Sequence, residues 1–240
     1  MSVSNLIHKW FKDWTLFERI WLLFFTAINV ALSFVWGDSL LGFISALSGM
    51  LCVVLVAKGK ISNYYWGILQ ASTYAYIAFG YQLYGDAMLN AFFYFPTQFI
   101  GIYLWSRSRN KTEVSVKGED IKARRLDTKQ WVYTLTAIVV GTVVYAFLLK
   151  VLGGRAVGID SATNILSIAA QILMLKRFAE QWLIWIAVNI LSIIMWAIAL
   201  NQTGGGDYSM LVMWSAFLVN SVYGYINWTK MSKAQGAVKL

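Results

Sequence analysis

Trp182, Trp185 and Asn189 stand at i, i+3 and i+7 within an uncharged run, so one helical face would carry two indoles and an amide. Such a face can stack on a flat heterocycle and hydrogen-bond its polar edge. A cationic ring would gain further from the indole faces. Gln70, Gln98 and Asn220 are other neutral amides deep inside uncharged runs, with Trp66, Tyr94 and Tyr223 about one turn away from them. This is the chemistry of recognition, not of bond making, and no catalytic residue is expected. One His (His8) and one Cys (Cys52) rule out a multi-histidine metal centre, a haem site and a disulfide framework, so neither metal nor cofactor is expected. Acid–base groups and a phosphate-binding glycine motif are missing from the uncharged runs, which argues against a membrane-embedded enzyme and against a nucleotide motor. Proton coupling usually needs ionisable groups inside the membrane, and the runs hold none; backbone and hydroxyl oxygens leave Na⁺ open. Each amide also has a plainer reading as a bond between helices, and Trp182 one as an interface-belt residue.

Those side chains need helices in a bilayer to hold them. Of the 240 residues 59% are hydrophobic, 13% are charged and one is proline, with mean hydropathy +0.59; soluble domains carry about twice that charge. The uncharged runs are 20–37, 39–57, 61–85, 87–106, 130–149, 161–175, 181–206 and 208–229. A bilayer core about 30 Å thick needs roughly 20 helical residues, which 161–175 reaches when 156–159 are added across Asp160. The expected fold is an all-α polytopic membrane protein with eight transmembrane helices. With the N-terminus inside, all but Lys150 and Arg155 of the 20 Lys and Arg fall on cytoplasmic segments. That pattern implies an inner (plasma) membrane protein with both termini cytoplasmic. The net charge of +9 is then a topology signal and calls for no nucleic acid; the partner is the lipid bilayer. Asp38, Asp86, Asp160 and Asp207 each precede a run, where an acid suits a helix N-terminus. Residues 6–17 read as an interfacial helix, and 107–129 as a charged loop too poor in apolar residues to fold alone.

An internal repeat organises the rest. Residues 45–70 align with 164–189 at an offset of 119, placing Lys58 on Arg177, Trp66 on Trp185 and Gln70 on Asn189. Gly101 to Trp105 align with Gly224 to Trp228 at 123, which makes Thr97 the mate of Asn220. The chain divides into an interfacial segment and extra N-terminal span (1–38), a first triple-helix repeat (39–106), a loop and linker span (107–152), a second repeat (156–230) and a tail (231–240). The linker lets the two repeats run parallel, an architecture of carriers. Pro96, in mid-run, is a candidate hinge for gating or a fixed bend.

This 3+1+3 plan and Trp182-x-x-Trp185-x-x-x-Asn189 resemble the nicotinamide riboside transporters of the PnuC type, which are similar in fold to SWEET sugar transporters. The resemblance covers spans two to eight. It implies facilitated diffusion of nicotinamide riboside (a form of vitamin B3 and an NAD precursor) into the cell, trapping by a cytoplasmic kinase, and a homotrimer. Carriers for thiamine or other vitamins share the plan, so another small vitamin or a sugar is the alternative solute. A non-transporting membrane receptor is the alternative function.

Overall fold

The computed structural model describes residues 14–35, 39–109, 119–151, 157–203 and 208–236. Helix α1 (Leu16–Val35) opens on a capping box: the Thr15 N–H donates to Glu18 Oε2 at 2.7 Å and the Glu18 N–H to Thr15 Oγ1 at 3.3 Å. Ser39 caps α2 (Leu40–Ala57), accepting from the Gly42 N–H at 2.9 Å. Next come α3 (Asn63–Gly80), α4 (Tyr84–Leu89), five π-helical residues (Asn90–Tyr94) and α5 (Phe95–Arg109). A second capping box, between Asp127 and Gln130, starts α6 (Thr128–Val151). The chain then forms α7 (Val157–Leu175), α8 (Gln181–Thr203) and α9 (Tyr208–Ala234). Because α4, the π turn and α5 are continuous, the described residues form 8 helical rods. The expected interfacial helix falls largely outside the described residues, as do Asp38, Asp207 and the side chain of Asp160.

Among the described residues, 4 helices are long and apolar enough to cross a membrane: α2, α6, α8 and α9. Ser161–Leu175 is apolar but shorter, and α3 and the α4–α5 rod give part of their length to Tyr, Asn and Gln. Neighbouring rods close a ring: α2 on α3, α3 on α4–α5, α5 on α7, α7 on α8, α8 on α9, and α9 back on α2. Outside this ring, α1 lies against α2 and α9, and α6 packs chiefly on α7. Val139, Val143 and Phe147 of α6 are exposed, an apolar surface that water would not tolerate and lipid would.

Just before Pro96 the rod widens into the π turn. The Phe95 N–H bonds to the Asn90 carbonyl five residues back. A proline in a regular helix collides with the carbonyl four residues back, and a π turn is one way to relieve that.

Contacts between the two halves of the ring come in matched pairs. Trp105 Nε1 donates to the Met174 carbonyl at 3.3 Å, and Trp228 Nε1 to the Val56 carbonyl at 2.9 Å. Gln171 Nε2 donates to Thr97 Oγ1 at 3.1 Å, and Asn220 Nδ2 to the Val53 carbonyl at 3.0 Å. Gly101 faces the ring of Tyr64 and Gly224 that of Trp182, so closely that a Cβ on Gly224 would lie 2.5 Å from Trp182 Cε2. The helix pairs α2/α7 and α3/α8 thus correspond at an offset of 118, one less than the 119 read from the sequence. The turns agree: Lys58, Gly59 and Lys60 make the same backbone bonds as Lys176, Arg177 and Phe178, with φ of +66° at both Gly59 and Arg177. One residue is a 100° rotation on a helix. It pairs Trp185 with Gly67 instead of Trp66, and Asn189 with Ala71 instead of Gln70.

Residues 119–127, read from the sequence as part of an unstructured loop, form a strap across these turns. The Asp120 N–H donates to the Gly59 carbonyl and the Ile61 N–H to Asp120 Oδ2. At the other turn Arg124 exchanges backbone bonds with Arg177 and Ala179, while Glu180 takes Arg125 Nε at 2.5 Å and the Leu126 N–H at 3.0 Å. Burial alone would lower the Arg125 guanidinium, but the Glu180 hydrogen bond and charge override it and hold it above its usual value. Ile121 and Ala123 are fully buried against Trp105, Trp182 and Trp228. The strap lacks apolar residues to fold alone; helix ends with unpaired groups supply its partners.

Candidate functional site

The ring encloses a cavity of about 100 Å³, room for several waters. Asp86, Asn90, Tyr94 and Gln98 form one wall, α8 supplies Trp182, Trp185 and Asn189 opposite, and Gln70, Ser167, Gln171, Trp214 and Ser221 complete the polar and aromatic lining. A regular helix drifts by roughly 40° at each step of four residues, so a row of four such positions would wander off one face. The π turn between Asn90 and Tyr94 takes up that drift and keeps Asp86, Asn90, Tyr94 and Gln98 on the cavity.

Of the residues singled out from the sequence, Trp182, Trp185, Asn189, Gln70, Gln98 and Tyr94 line this cavity. The rings of Tyr94 and Trp185 lie 6.2 Å apart at 42°, a tilted aromatic pair on the cavity. Asn189 Nδ2 donates to Ser221 Oγ at 2.8 Å, which ties α8 to α9 and orients the amide. Gln98 Nε2 donates to the Tyr94 carbonyl at 2.9 Å. That acceptor fixes which end of the amide is nitrogen and leaves Gln98 Oε1 buried with no hydrogen-bond partner among the described residues. Trp182 Nε1 is a buried donor in the same condition. A polar solute or water can satisfy such a group.

Trp66, Asn220 and Tyr223 do not line the cavity. Trp66 packs against the hydrophobic core one residue out of register with Trp185. Asn220 bridges α9 to the Val53 carbonyl, the helix-joining role. The Tyr223 hydroxyl donates to Glu18 Oε1 at 2.9 Å, in a second cavity of about 380 Å³ bordered by Glu18, Lys58, Glu119 and Lys230.

Two aromatic clusters flank this cavity, each contributing one ring to its lining, Trp182 and Trp214. At the strap end Tyr64, Trp105, Trp182 and Trp228 pack in contact, with Tyr64 edge-on to Trp105 at 5.0 Å and Trp182 edge-on to Trp228 at 6.2 Å. At the far end Tyr74 stands between Trp196 and Trp214, at 5.8 and 5.9 Å. Asp86 stands in the first turn of α4, as a helix-start acid should, and it is also 7% exposed, bonded to the Tyr74 hydroxyl at 2.7 Å, and on the cavity wall. The available signal was an acid separating two runs that the fold packs side by side. Asn90, Ser167, Gln171 and Ser192 were also missed, since small polar residues at these positions look like ordinary helix content.

Comparison with known proteins agrees with this architecture. The family described as "Nicotinamide mononucleotide transporter" matches residues 39–230. The nicotinamide riboside transporter PnuC of Neisseria mucosa is 43% identical over 233 residues, 97% of this chain and 88% of that protein. Its namesake from Haemophilus influenzae is 40% identical over 96% of this chain and 97% of its own length. The one from Escherichia coli is 28% identical over 81% and 87%. Among solved structures, a crystal structure of the vitamin B3 transporter PnuC matches with a TM-score of 0.86 and 42% identity, over 98% of this chain and all of that one. An all-helical bundle around an aromatic, amide-lined cavity, matched nearly end to end by such relatives, is no enzyme: the chain belongs to the PnuC family of membrane transporters.

Proposed function

We propose that this chain carries nicotinamide riboside into the cell across the inner membrane by facilitated diffusion. The observation that carries this reading is the cavity itself: Trp185 and Tyr94 line it with aromatic surface on which a flat ring can stack, while Asn189, Gln70 and Gln98 offer amides to ribose hydroxyls and a carboxamide. The relatives bear the name of that solute. The family description names the mononucleotide instead. Here the lining favours the riboside, because no Lys, Arg or His among the described residues borders the cavity to receive a phosphate.

The same reading makes the ring of rods two parallel triple-helix repeats in a SWEET-like 3+1+3 plan, with α6 as linker and α1 as an extra span. The recurring contacts at offsets of 118 and 123 support it. All 8 rods then cross the bilayer, with the strap, the turns at Lys58 and Lys176 and both termini on the cytoplasmic side, where the basic residues gather. Pro96 and its π turn serve as the hinge of the rod that carries Asp86 to Gln98. Three copies assemble, and a cytoplasmic kinase that need not touch the carrier traps the product.

Detergent-purified protein titrated with nicotinamide riboside should quench tryptophan fluorescence saturably. Nicotinamide mononucleotide should bind about a hundredfold more weakly or not at all, since its phosphate finds no counter-charge among the described lining residues. Equal affinity for the mononucleotide, or no binding of the riboside by folded protein, contradicts the proposal.

A further inference from the structure

The strap at 119–127 is one stretch of chain fastened to both halves of the ring. At its start the Asp120 N–H donates to the Gly59 carbonyl at 2.9 Å, and Asp120 Oδ2 accepts from the Ile61 N–H at 3.0 Å. These partners lie in the turn between α2 and α3. Four residues on, the Arg124 N–H donates to the Arg177 carbonyl at 2.8 Å, and the Arg124 carbonyl accepts from the Ala179 N–H at 2.9 Å. Those belong to the turn between α7 and α8. Gln235, just past the end of α9, clasps the middle: its Oε1 accepts from the Ala123 N–H and its Nε2 donates to the Ile121 carbonyl. Ile121 and Ala123 share one packed cluster with Val56, Met174 and Trp182, and those three also line the main cavity. One layer of side chains therefore separates the strap from the solute space.

Such a strap limits how far the two turns can part. Four residue steps reach roughly 14 Å at full extension, so wider separation needs one fastening to let go. The two fastenings are unequal. At the α7–α8 turn the two backbone bonds are joined by Glu180, 1% exposed, which takes Arg125 Nε and the Leu126 N–H. The Arg124 guanidinium also lies 4.5 Å over the ring of Phe178. At the α2–α3 turn the strap has the two bonds of Asp120, with Arg109 3.7 Å away in a solvent-facing pair that contributes little.

We propose that the strap is the latch of the cytoplasmic exit: it stays with the α7–α8 turn and must release the α2–α3 turn at Asp120 before solute leaves on that side. The inference rests on the proposed carrier function and its orientation, since a carrier built of two halves reaches the cytoplasm by parting them there. While latched, Ile121 and Ala123 hold Trp105, Trp182 and Trp228 together beside the cavity. Once Asp120 lets go, the α2–α3 turn is free to move away from that cluster.

Cys52 is the single cysteine of the chain and lines the main cavity, so its labelling reports when that space opens. The test measures the rate at which a membrane-impermeant maleimide labels Cys52 of the full chain, in inside-out and in right-side-out membrane vesicles. Asp120→Ala should raise the rate in inside-out vesicles about three- to tenfold, the population shift that one lost hydrogen bond gives. In right-side-out vesicles the rate should stay the same or fall. Asp120→Asn keeps an acceptor for the Ile61 N–H and should raise the inside-out rate less, by about twofold. An unchanged inside-out rate in folded Asp120→Ala overturns the inference. So does an equal rise on both faces, which would report a loosened protein, and so does a rise confined to right-side-out vesicles. Should Asp120→Ala not fold, Asp120→Asn decides in its place, and no rise there overturns the inference. Nicotinamide riboside should slow labelling of the wild type by filling the cavity. Labelling that the riboside leaves untouched on both faces refutes the carrier reading, and the latch with it; protection without an effect of Asp120→Ala refutes the latch alone.

Discussion

Lys58→Met is expected to lower the unfolding free energy by about 3–5 kcal/mol, because it strands a buried carboxylate. Lys58 Nζ lies 2.6 Å from Glu18 Oε2, with side chains only 6% and 2% exposed. Glu18 also accepts from the Tyr223 hydroxyl and caps α1 through the Thr15 N–H, and Lys58 sits 5.2 Å over the ring of Trp14. Methionine keeps most of the stem and removes the charge, so the loss reports the ion pair and not a cavity. The double variant Lys58→Met with Glu18→Gln should recover most of the stability, since neither charge is then left unpaired. Thermal melting of the three proteins in the same detergent checks this. A single variant that melts with the wild type would mean that α1 is not fastened to the turn after α2. The point matters because α1 precedes residues 39–230, over which the family matches, and this cluster is what fixes it to α2 and α9.

Neither half of that pair announces itself in the sequence. Lys58 reads as a topology charge and Glu18 as an acid at the start of a span; nothing local says that 40 positions of chain return one to the other. The helices themselves were legible, because charges interrupt apolar runs where the chain must turn, and the Trp182, Trp185, Asn189 face was legible from helical spacing alone. Rotation about each helix was not. Thin identity between the halves lets an offset of 119 look as good as 118, and that single step placed Trp66 opposite Trp185 when Gly67 stands there. The cavity role of Asp86 was not legible for a related reason: an acid between two runs starts a helix in either case, and lines a cavity only when the break is folded inward. The strap at 119–127 was invisible because its partners, backbone groups of distant turns and the Glu180 carboxylate, lie far from it in the chain and carry no local pattern.

Asn189→Leu should lower affinity for nicotinamide riboside roughly ten- to a hundredfold while the protein stays folded. The amide stands on the cavity beside Trp185, and leucine of similar size leaves the polar edge of the solute unpaired, at a cost of about 1–3 kcal/mol. Trp185→Phe should lose less than Trp185→Ala, since that position contributes stacking area against a ring. A helix-joining role through Ser221 alone predicts otherwise: melting temperature falls with the lost 2.8 Å bond, and whatever remains folded binds as tightly as before. Affinity and melting temperature measured on the same preparations separate the two roles.

Transport itself is tested by purified protein in liposomes supplied with labelled nicotinamide riboside, with no kinase and no ion gradient. The label should enter faster than in protein-free vesicles and stop when inside and outside concentrations are equal. A proton or Na⁺ gradient imposed afterwards should not move that end point. Entry no faster than through bare lipid, or accumulation above the outside concentration when a gradient is applied, would contradict a facilitator of nicotinamide riboside.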